Sequence, residues 1–338
     1  MPQDSDPEAE VAEMLRMIRG HRLTQAVYIA TKLGIPMRIS KVPKDAGTLA
    51  SELGAHPDRL SRLLRLLAAL GVLTMDDEGR FGLTRTGELL REDVPGSLAD
   101  AAVLTGEDFY RAWGDLLHTV KTGETAFDHL YGMGHFEHLA RHPEDSAAFQ
   151  RTMAMSLGAT GPALAGYDLS GHRVVVDVGG GNGALLASLL RDHPHLRGIL
   201  YDQAGAVVDA PKVLSSAGVE DRVRVRSGSM FDSVPEGGDL YVLSRVLHDW
   251  PDDKALAILK HCRRAIAKDG TLLIVDGVLS HRDPDPSRLM LDLQMMVMNG
   301  GRERTEDEWR ALLGRAGFAV VSVRPSRPNQ DLIEARAR

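Results

Sequence analysis

Along the first stretch of the chain, apolar positions recur at helical spacing. Leu15, Ile18, Leu23, Ala26, Val27 and Ala30 form one stripe, which predicts a helix from about Val11 to Leu33. Gly34-Ile35-Pro36 breaks it. Thr48–Leu53 predicts a short helix ended by Gly54. Pro57–Leu70 predicts a strong one, with Leu60, Leu63, Leu64, Leu67 and Leu70 on its apolar side. Gly71-Val72-Leu73-Thr74, the acidic turn Asp76-Asp77-Glu78-Gly79 and Arg80-Phe81-Gly82-Leu83-Thr84 predict a β-hairpin. From about Ser97 to Tyr167 the pattern is helical throughout and rich in aromatic residues and methionine, including Phe109, Tyr110, Trp113, Phe127, Tyr131, Phe136, Phe149, Met153 and Met155.

After Gly171 the period changes. Strand-like runs at Arg173–Val178, Leu196–Asp202, Arg222–Arg226, Asp239–Ser244 and Thr271–Asp276 alternate with helical runs at Gly183–Asp192, Gly205–Ala217 and Asp252–Ala267. That alternation predicts an α/β fold built on a parallel sheet with crossover helices. Ala319–Arg324 and Asp331–Ala335 are two closing strands. The chain therefore divides into an N-terminal module read as a scaffold (1–96), a helical linker (97–167) and an α/β domain (168–338).

Helix, turn, helix and hairpin make a winged-helix pattern, a shape that often binds DNA. Charge argues otherwise. Ala46–Glu92 carries six arginines and seven acids, and the whole chain has a net charge of −7. Arg59, Arg62 and Arg65 form a basic row that reads as a solvated helix face. Nucleic acid and anionic membrane are thus not expected partners. The single cysteine, Cys262, can form no intrachain disulfide, which fits a reducing compartment. No apolar run is long enough to span a bilayer, and MPQDSDPEAE lacks a signal pattern, so a cytoplasmic protein is expected.

In an open parallel sheet, ligands bind beyond the carboxyl ends of the strands. Asp177, Gly179, Asp202, Ser229 and His248 all fall at or just past such ends. Glycines at 179–181 let the backbone approach a ligand closely. Asp202, 23 residues beyond Gly179, suits an acid that accepts from ribose hydroxyls. Gly179-x-Gly181-x-x-Ala184 also satisfies the dinucleotide fingerprint, so an NAD oxidoreductase stays open here.

His248 faces the same cleft. Asp252 is expected to cap the following helix, whereas capping gives His248 no role. Asp276 or Glu303 could hold one ring nitrogen and leave the other to take a proton. His135 and His138, with Glu137 between them, read as surface or pocket-edge residues, and no metal-ligand cluster is apparent. Leu291, Met295 and Met298 repeat at helical spacing, which reads as core packing.

Together, Asp177-Val178-Gly179-Gly180-Gly181-Asn182-Gly183, Tyr201-Asp202, Gly228-Ser229-Met230-Phe231, Leu247-His248-Asp249-Trp250 and Gly300-Gly301-Arg302-Glu303-Arg304-Thr305 carry a resemblance over nearly the whole chain. The chain resembles the S-adenosylmethionine-dependent O-methyltransferases typified by plant caffeic acid O-methyltransferase and its actinobacterial natural-product relatives. The resemblance implies a Rossmann-like class I methyltransferase sheet with an N-terminal, mainly helical winged-helix dimerisation domain, and a homodimer.

It also implies site roles. The cofactor side comprises Asp177, Gly179, Gly181, Asp202, Ser229, Met230, Ser244 and Arg245. His248 is implied as the catalytic base, flanked by Asp276 and Glu303. Met153, Met155, Met295 and Asn299 border the pocket of a small aromatic acceptor. Ser229 stands where the family commonly has aspartate, Ser244 where plant members have lysine, and Asp276 where they have glutamate. Two further readings remain at this stage: nitrogen methylation or non-methylating chemistry on the same fold, and a winged-helix transcriptional regulator.

Overall fold

The computed structural model describes residues 7–158, 164, 166–327 and 329–338, the side chains of 154–158 and 327 apart. Two compact units emerge, Met1–Arg111 and Ala112–Arg338.

In the first unit, α1 (Pro7–Ile18) and α2 (His21–Lys32) replace the single helix expected over 11–33. The chain turns at Arg19 and Gly20, where glycine's low helix propensity makes an interruption cheap. Gly34 takes a left-handed φ of 65° and starts α3 (Ile35–Ile39). A strand β1 (Lys44–Asp45) leads into α4 (Ala46–Leu53), whose N-cap Asp45 accepts from the Thr48 amide, and then α5 (Pro57–Ala69). Leu60, Leu64 and Leu67 of α5 are buried with Ile35, Ile39, Leu49 and Phe81. The expected hairpin forms from β2 (Leu73–Met75) and β3 (Arg80–Leu83), and β1 pairs with the other side of β3. Then come α6 (Ala99–Leu104) and α7 (Tyr110–Gly114), which runs across the boundary between the units.

The second unit continues with α8 (Leu116–Thr122), α9 (Ala126–Tyr131), α10 (His135–Arg141) and α11 (Pro143–Gly158). Its sheet begins with β4 (Val174–Val178), followed by α12 (Ala184–Asp192), β5 (Arg197–Asp202), α13 (Ala210–Ser216), β6 (Val223–Ser227) and β7 (Leu240–Ser244). After these come α14 (Asp252–Ala265), β8 (Thr271–Asp276), β9 (Val278–Leu279), α15 (Pro286–Met298), β10 (Arg304–Thr305), α16 (Glu306–Arg315), β11 (Phe318–Arg327) and β12 (Gln330–Ala337).

Seven strands form one sheet in the order β11-β12-β8-β7-β4-β5-β6. The five inner and β6-side strands run parallel, and β12 joins β8 antiparallel. Apolar side chains cover both faces, which is what parallel strands require. Trp309, Leu312 and Leu313 of α16 and Ile258 and Leu259 of α14 pack on one face. Leu185, Leu186, Leu189 and Leu190 of α12 pack on the other. Strand order reverses at β4, which has β5 on one side and β7 on the other, so a crevice opens at their carboxyl ends.

Candidate functional site

The glycine turn follows β4. Gly179, Gly181 and Gly183 have φ of 73°, 56° and 80°, a region that penalises any residue with a Cβ. Space is short as well. A Cβ on Gly179 would sit 2.7 Å from Val246 Cγ2, and one on Gly180 would sit 2.5 Å from Asp177 Oδ2. The turn is tied to the next strand: the Gly179 amide donates to the Tyr201 carbonyl at 2.8 Å, and the Gly181 amide to Asp202 Oδ2 at 2.8 Å. Asp202 Oδ1 also accepts from the Gln203 amide at 2.6 Å. Burial raises the Asp202 pKa against these two amide bonds.

A cleft is lined by Gly179, Tyr201, Asp202, Gln203, Gly228, Ser229, Met230 and Phe231. It thus gathers four of the residues expected to face a cofactor and adds Tyr201, Gln203, Gly228 and Phe231. Ser229 is positioned by its neighbours, since Tyr201 Oη donates to its carbonyl at 3.0 Å and its Oγ accepts from the Phe231 amide at 3.2 Å. A backbone bared by glycines, beside a carboxylate and a methionine, fits a nucleoside cofactor.

Asp177, expected on the cofactor side, ends β4 just before the turn. Its side chain does not line the cleft: it is buried beneath the turn, and neither carboxylate oxygen has a hydrogen-bond partner. Burial, then the nearby Asp202 charge, pushes its pKa up to about 7. Ser244 is likewise buried, its Oγ without a partner, and lies outside the cleft lining. Arg245 adopts a left-handed φ of 57°, with its amide donating to the Val275 carbonyl at 2.9 Å. A side chain there is strained, which marks the turn after β7 as one the surrounding structure enforces.

His248 follows that turn and is buried. Its Nδ1–H donates to Glu303 Oε1 at 2.7 Å. Asp276 Oδ1 lies 3.9 Å from the same nitrogen, and Asp249 Oδ1 4.0 Å from Nε2. Glu303 is therefore the acid that orients the ring, while both Asp276 oxygens have no hydrogen-bond partner. Burial works to depress the His248 pKa, but Asp276 and then Glu303 outweigh it and raise it to about 9. Asp276 rises to about 7 through burial, with His248 opposing.

The spacing between the His248 loop and the 300–305 motif has a mechanical cause. Arg302 donates its amide to the His248 carbonyl at 2.8 Å. Buried Arg304 donates to the Leu247 carbonyl at 3.0 Å, the Trp250 carbonyl at 2.9 Å and Asp252 Oδ1 at 3.0 Å. This overturns the expected role of Asp252: the N-cap of α14 is Pro251, and the Asp252 carboxylate serves the Arg304 guanidinium instead. At Gly301 a Cβ would lie 2.0 Å from the His248 carbonyl oxygen, so the two backbones touch.

On the helical side, rings pack on one another. Phe149 contacts His135 and Phe136, Phe136 lies 5.3 Å from Trp250, and Trp250 lies 4.8 Å from Phe231 of the cofactor cleft. His135 and His138 are buried rather than at the surface. They point to different partners: His135 Nδ1–H donates to Asn299 Oδ1 at 3.1 Å, and Asn299 Nδ2 donates to Asp249 Oδ1 at 2.8 Å. Asn299 thus holds Asp249 opposite His248. Met153 is half-buried, Met295 is buried, and the Met155 side chain lies outside the described residues. Gln150, one residue after Phe149, was not singled out by the sequence; its Oε1 lies where a Cβ on Gly181 would be 2.8 Å away.

Comparison with known proteins gives a consistent match. The family model described as the O-methyltransferase domain matches residues 113–319, and that of the O-methyltransferase dimerisation domain matches 15–93. The chain is 42% identical over 324 residues to the phenazine O-methyltransferase of Lysobacter antibioticus, covering 96% of this chain and 95% of that one. It is 34% identical over 315 residues to phenazine-1-carboxylate N-methyltransferase of Pseudomonas aeruginosa, covering 93% and 94%. A crystal structure of an O-methyltransferase from neocarzinostatin biosynthesis, in complex with S-adenosylmethionine and 2-hydroxy-5-methyl naphthoic acid, aligns with a TM-score of 0.83 at 36% identity, covering 94% and 96%.

Proposed function

The chain belongs to the S-adenosylmethionine-dependent O-methyltransferase family, and from that premise we propose that it methylates a hydroxyl of a small aromatic acceptor with His248 as general base. The observation that carries the base assignment is the 2.7 Å bond from His248 Nδ1 to Glu303, which leaves Nε2 for the acceptor proton.

When bound, the cofactor supplies an activated methyl group. The chain's own residues do the rest. Gly179, Gly181, Asp202, Ser229 and Met230 form the cofactor side, with Tyr201, Gln203 and Phe231 completing the cleft. Asp177 and Ser244 support it from beneath, and Arg245 shapes the turn toward the base. A phenol with an ordinary pKa of about 10 stays protonated near neutrality. Neutral His248 removes that proton at Nε2 as the oxygen attacks, a contribution of roughly 10²–10⁴-fold. Glu303 fixes the tautomer, and Asp276 adds the second negative charge that steadies the imidazolium. The ring cluster of Phe127, His135, Phe136 and Phe149, with Met153, Met295 and Trp250, forms the wall for a flat aromatic acceptor. Asn299 acts through Asp249. The first unit, with its matched dimerisation domain, holds two copies together as a homodimer.

The NAD and transcription-regulator readings end with the family assignment. Nitrogen methylation is the second reading, favoured by the similarity to the phenazine-1-carboxylate N-methyltransferase, since an imidazole base serves either acceptor atom. Calorimetric titration tests the cofactor first: S-adenosylmethionine binds in the micromolar range and NAD does not. His248→Ala then keeps that affinity and loses at least about a hundredfold in kcat on a phenolic acceptor. Full activity of this variant on a hydroxyl acceptor near neutral pH would remove the base assignment.

A further inference from the structure

The corner between α10 and α11 carries a second cluster of histidines that methyl transfer does not use. We propose that His138, His142 and Asp145 bind a divalent cation of the zinc type, with the fourth position left to water. The three side chains each offer a ligand atom, and these atoms lie within 4.8 Å of one another. His138 lies in the last turn of α10 and His142 caps it, and their rings stack with centroids 4.0 Å apart.

Two features make this more than proximity. A carbonyl can only accept, so the 2.8 Å contact between His142 Nδ1 and the His138 carbonyl means that Nδ1 carries the proton. Nε2 is then the ligand nitrogen, with the ring oriented by a backbone carbonyl as metal-binding histidines commonly are. Second, His138 Nε2 and Asp145 Oδ2 are 3.7 Å apart. That is too long for a hydrogen bond. It is close to the roughly 3.3 Å between two ligand atoms each held about 2.0–2.1 Å from a tetrahedral zinc ion. His138 is anchored edge-on to Phe127 and Tyr131, so its ring is set by packing.

Among the described residues, the other such cluster, Asp115, His118 and His129, differs on this point. There each imidazole is already engaged by a carboxylate, His129 by Asp115 at 2.7 Å and His118 by Glu124 at 2.8 Å. A cation at His138, His142 and Asp145 would pin the end of α10 to the first turn of α11. Those two helices carry His135 and Phe136 on one side of the corner and Phe149 and Gln150 on the other. Two histidines and a carboxylate with an open position suit zinc, cobalt or nickel rather than calcium or magnesium.

The test uses the full chain without an affinity tag, stripped with a chelator and titrated with Zn²⁺ against a chromophoric competitor. Calcium is the comparison. One Zn²⁺ per chain is expected with micromolar or tighter affinity, and no calcium. His142 and Asp145 are exposed, so His142→Ala and Asp145→Asn leave the fold intact. Each is expected to weaken Zn²⁺ binding by at least about tenfold, with circular dichroism unchanged. The stripped protein loaded with Co²⁺ should show a visible absorption band that His142→Ala abolishes. Absence of saturable Zn²⁺ binding, or equal affinity in both variants, overturns the proposal. So does loss of binding in His129→Ala alone, which would assign the ion to the other cluster.

Discussion

His248 is one imidazole among three carboxylates, and its protonation follows from them. With its pKa raised to about 9, the ring is largely cationic near neutrality, so kcat/KM for a phenolic acceptor rises with pH as that proton leaves. Glu303→Gln removes one of the charges holding the proton. The acid-side limb of the kcat/KM profile should then shift to lower pH than in the parent, and the plateau should fall because the ring loses its orienting partner. An unmoved limb would separate Glu303 from the base.

Asp177 gives a second residue-scale prediction, of stability rather than rate. Its pKa of about 7 in the folded chain stands above its ordinary 3.8, so the unfolded chain releases the proton first as pH rises. The stability tied to the neutral carboxyl is fully present below pH 3.8 and is lost as pH rises through about 7. Asp177→Asn keeps the shape without the charge. The cofactor-free variant should melt at a higher temperature than the parent above pH 7, with the gap closing toward pH 4; a gap that does not depend on pH would contradict this.

Among the elements, the 300–305 turn and the 247–252 loop act as one piece. Gly301→Ala forces a Cβ onto the His248 carbonyl, where only backbone could yield. Loss of soluble folded protein, or at least about a hundredfold lower kcat, is expected. Gly314 in α16 is the contrast, since a Cβ there meets no atom within 4 Å. Gly314→Ala should add roughly 0.5–1 kcal/mol in urea unfolding.

The same elements show what could be read beforehand. Strands β4, β5 and β8 and their ends were legible because each is a short apolar run closed by a glycine or an acid. The break at Arg19-Gly20 was not, because the apolar stripe continues across it. Asp252 looked like a cap because only its neighbours could be weighed; its true partner, Arg304, is 52 residues away and meets it only in three dimensions. The link from His135 through Asn299 to Asp249 was hidden for the same reason, as three ordinary polar residues far apart in sequence. Gln150 carries no local signal of its position beside Gly181.

For the molecule as a whole, assembly is the first question. Val11, Met14, Met17 and Ile18 of α1 are more than half exposed, an apolar face that a lone chain would leave in water. We propose that this face is a contact of the homodimer. Met14→Glu combined with Ile18→Glu should shift sedimentation velocity toward the monomer at micromolar concentration; an undiminished dimer would place the contact elsewhere. The clamp formed by Gly301, Glu303 and Arg304 also bears on the acceptor wall. His248, its acid and the guanidinium that fixes their loop are interlocked across 55 residues of chain, so no member can drift alone without breaking the others. The rings of α9, α10 and α11 meet that lock through ring contacts and one amide. The proposed acceptor wall is therefore joined to the proposed base by looser ties than those that join the base to its acid and clamp.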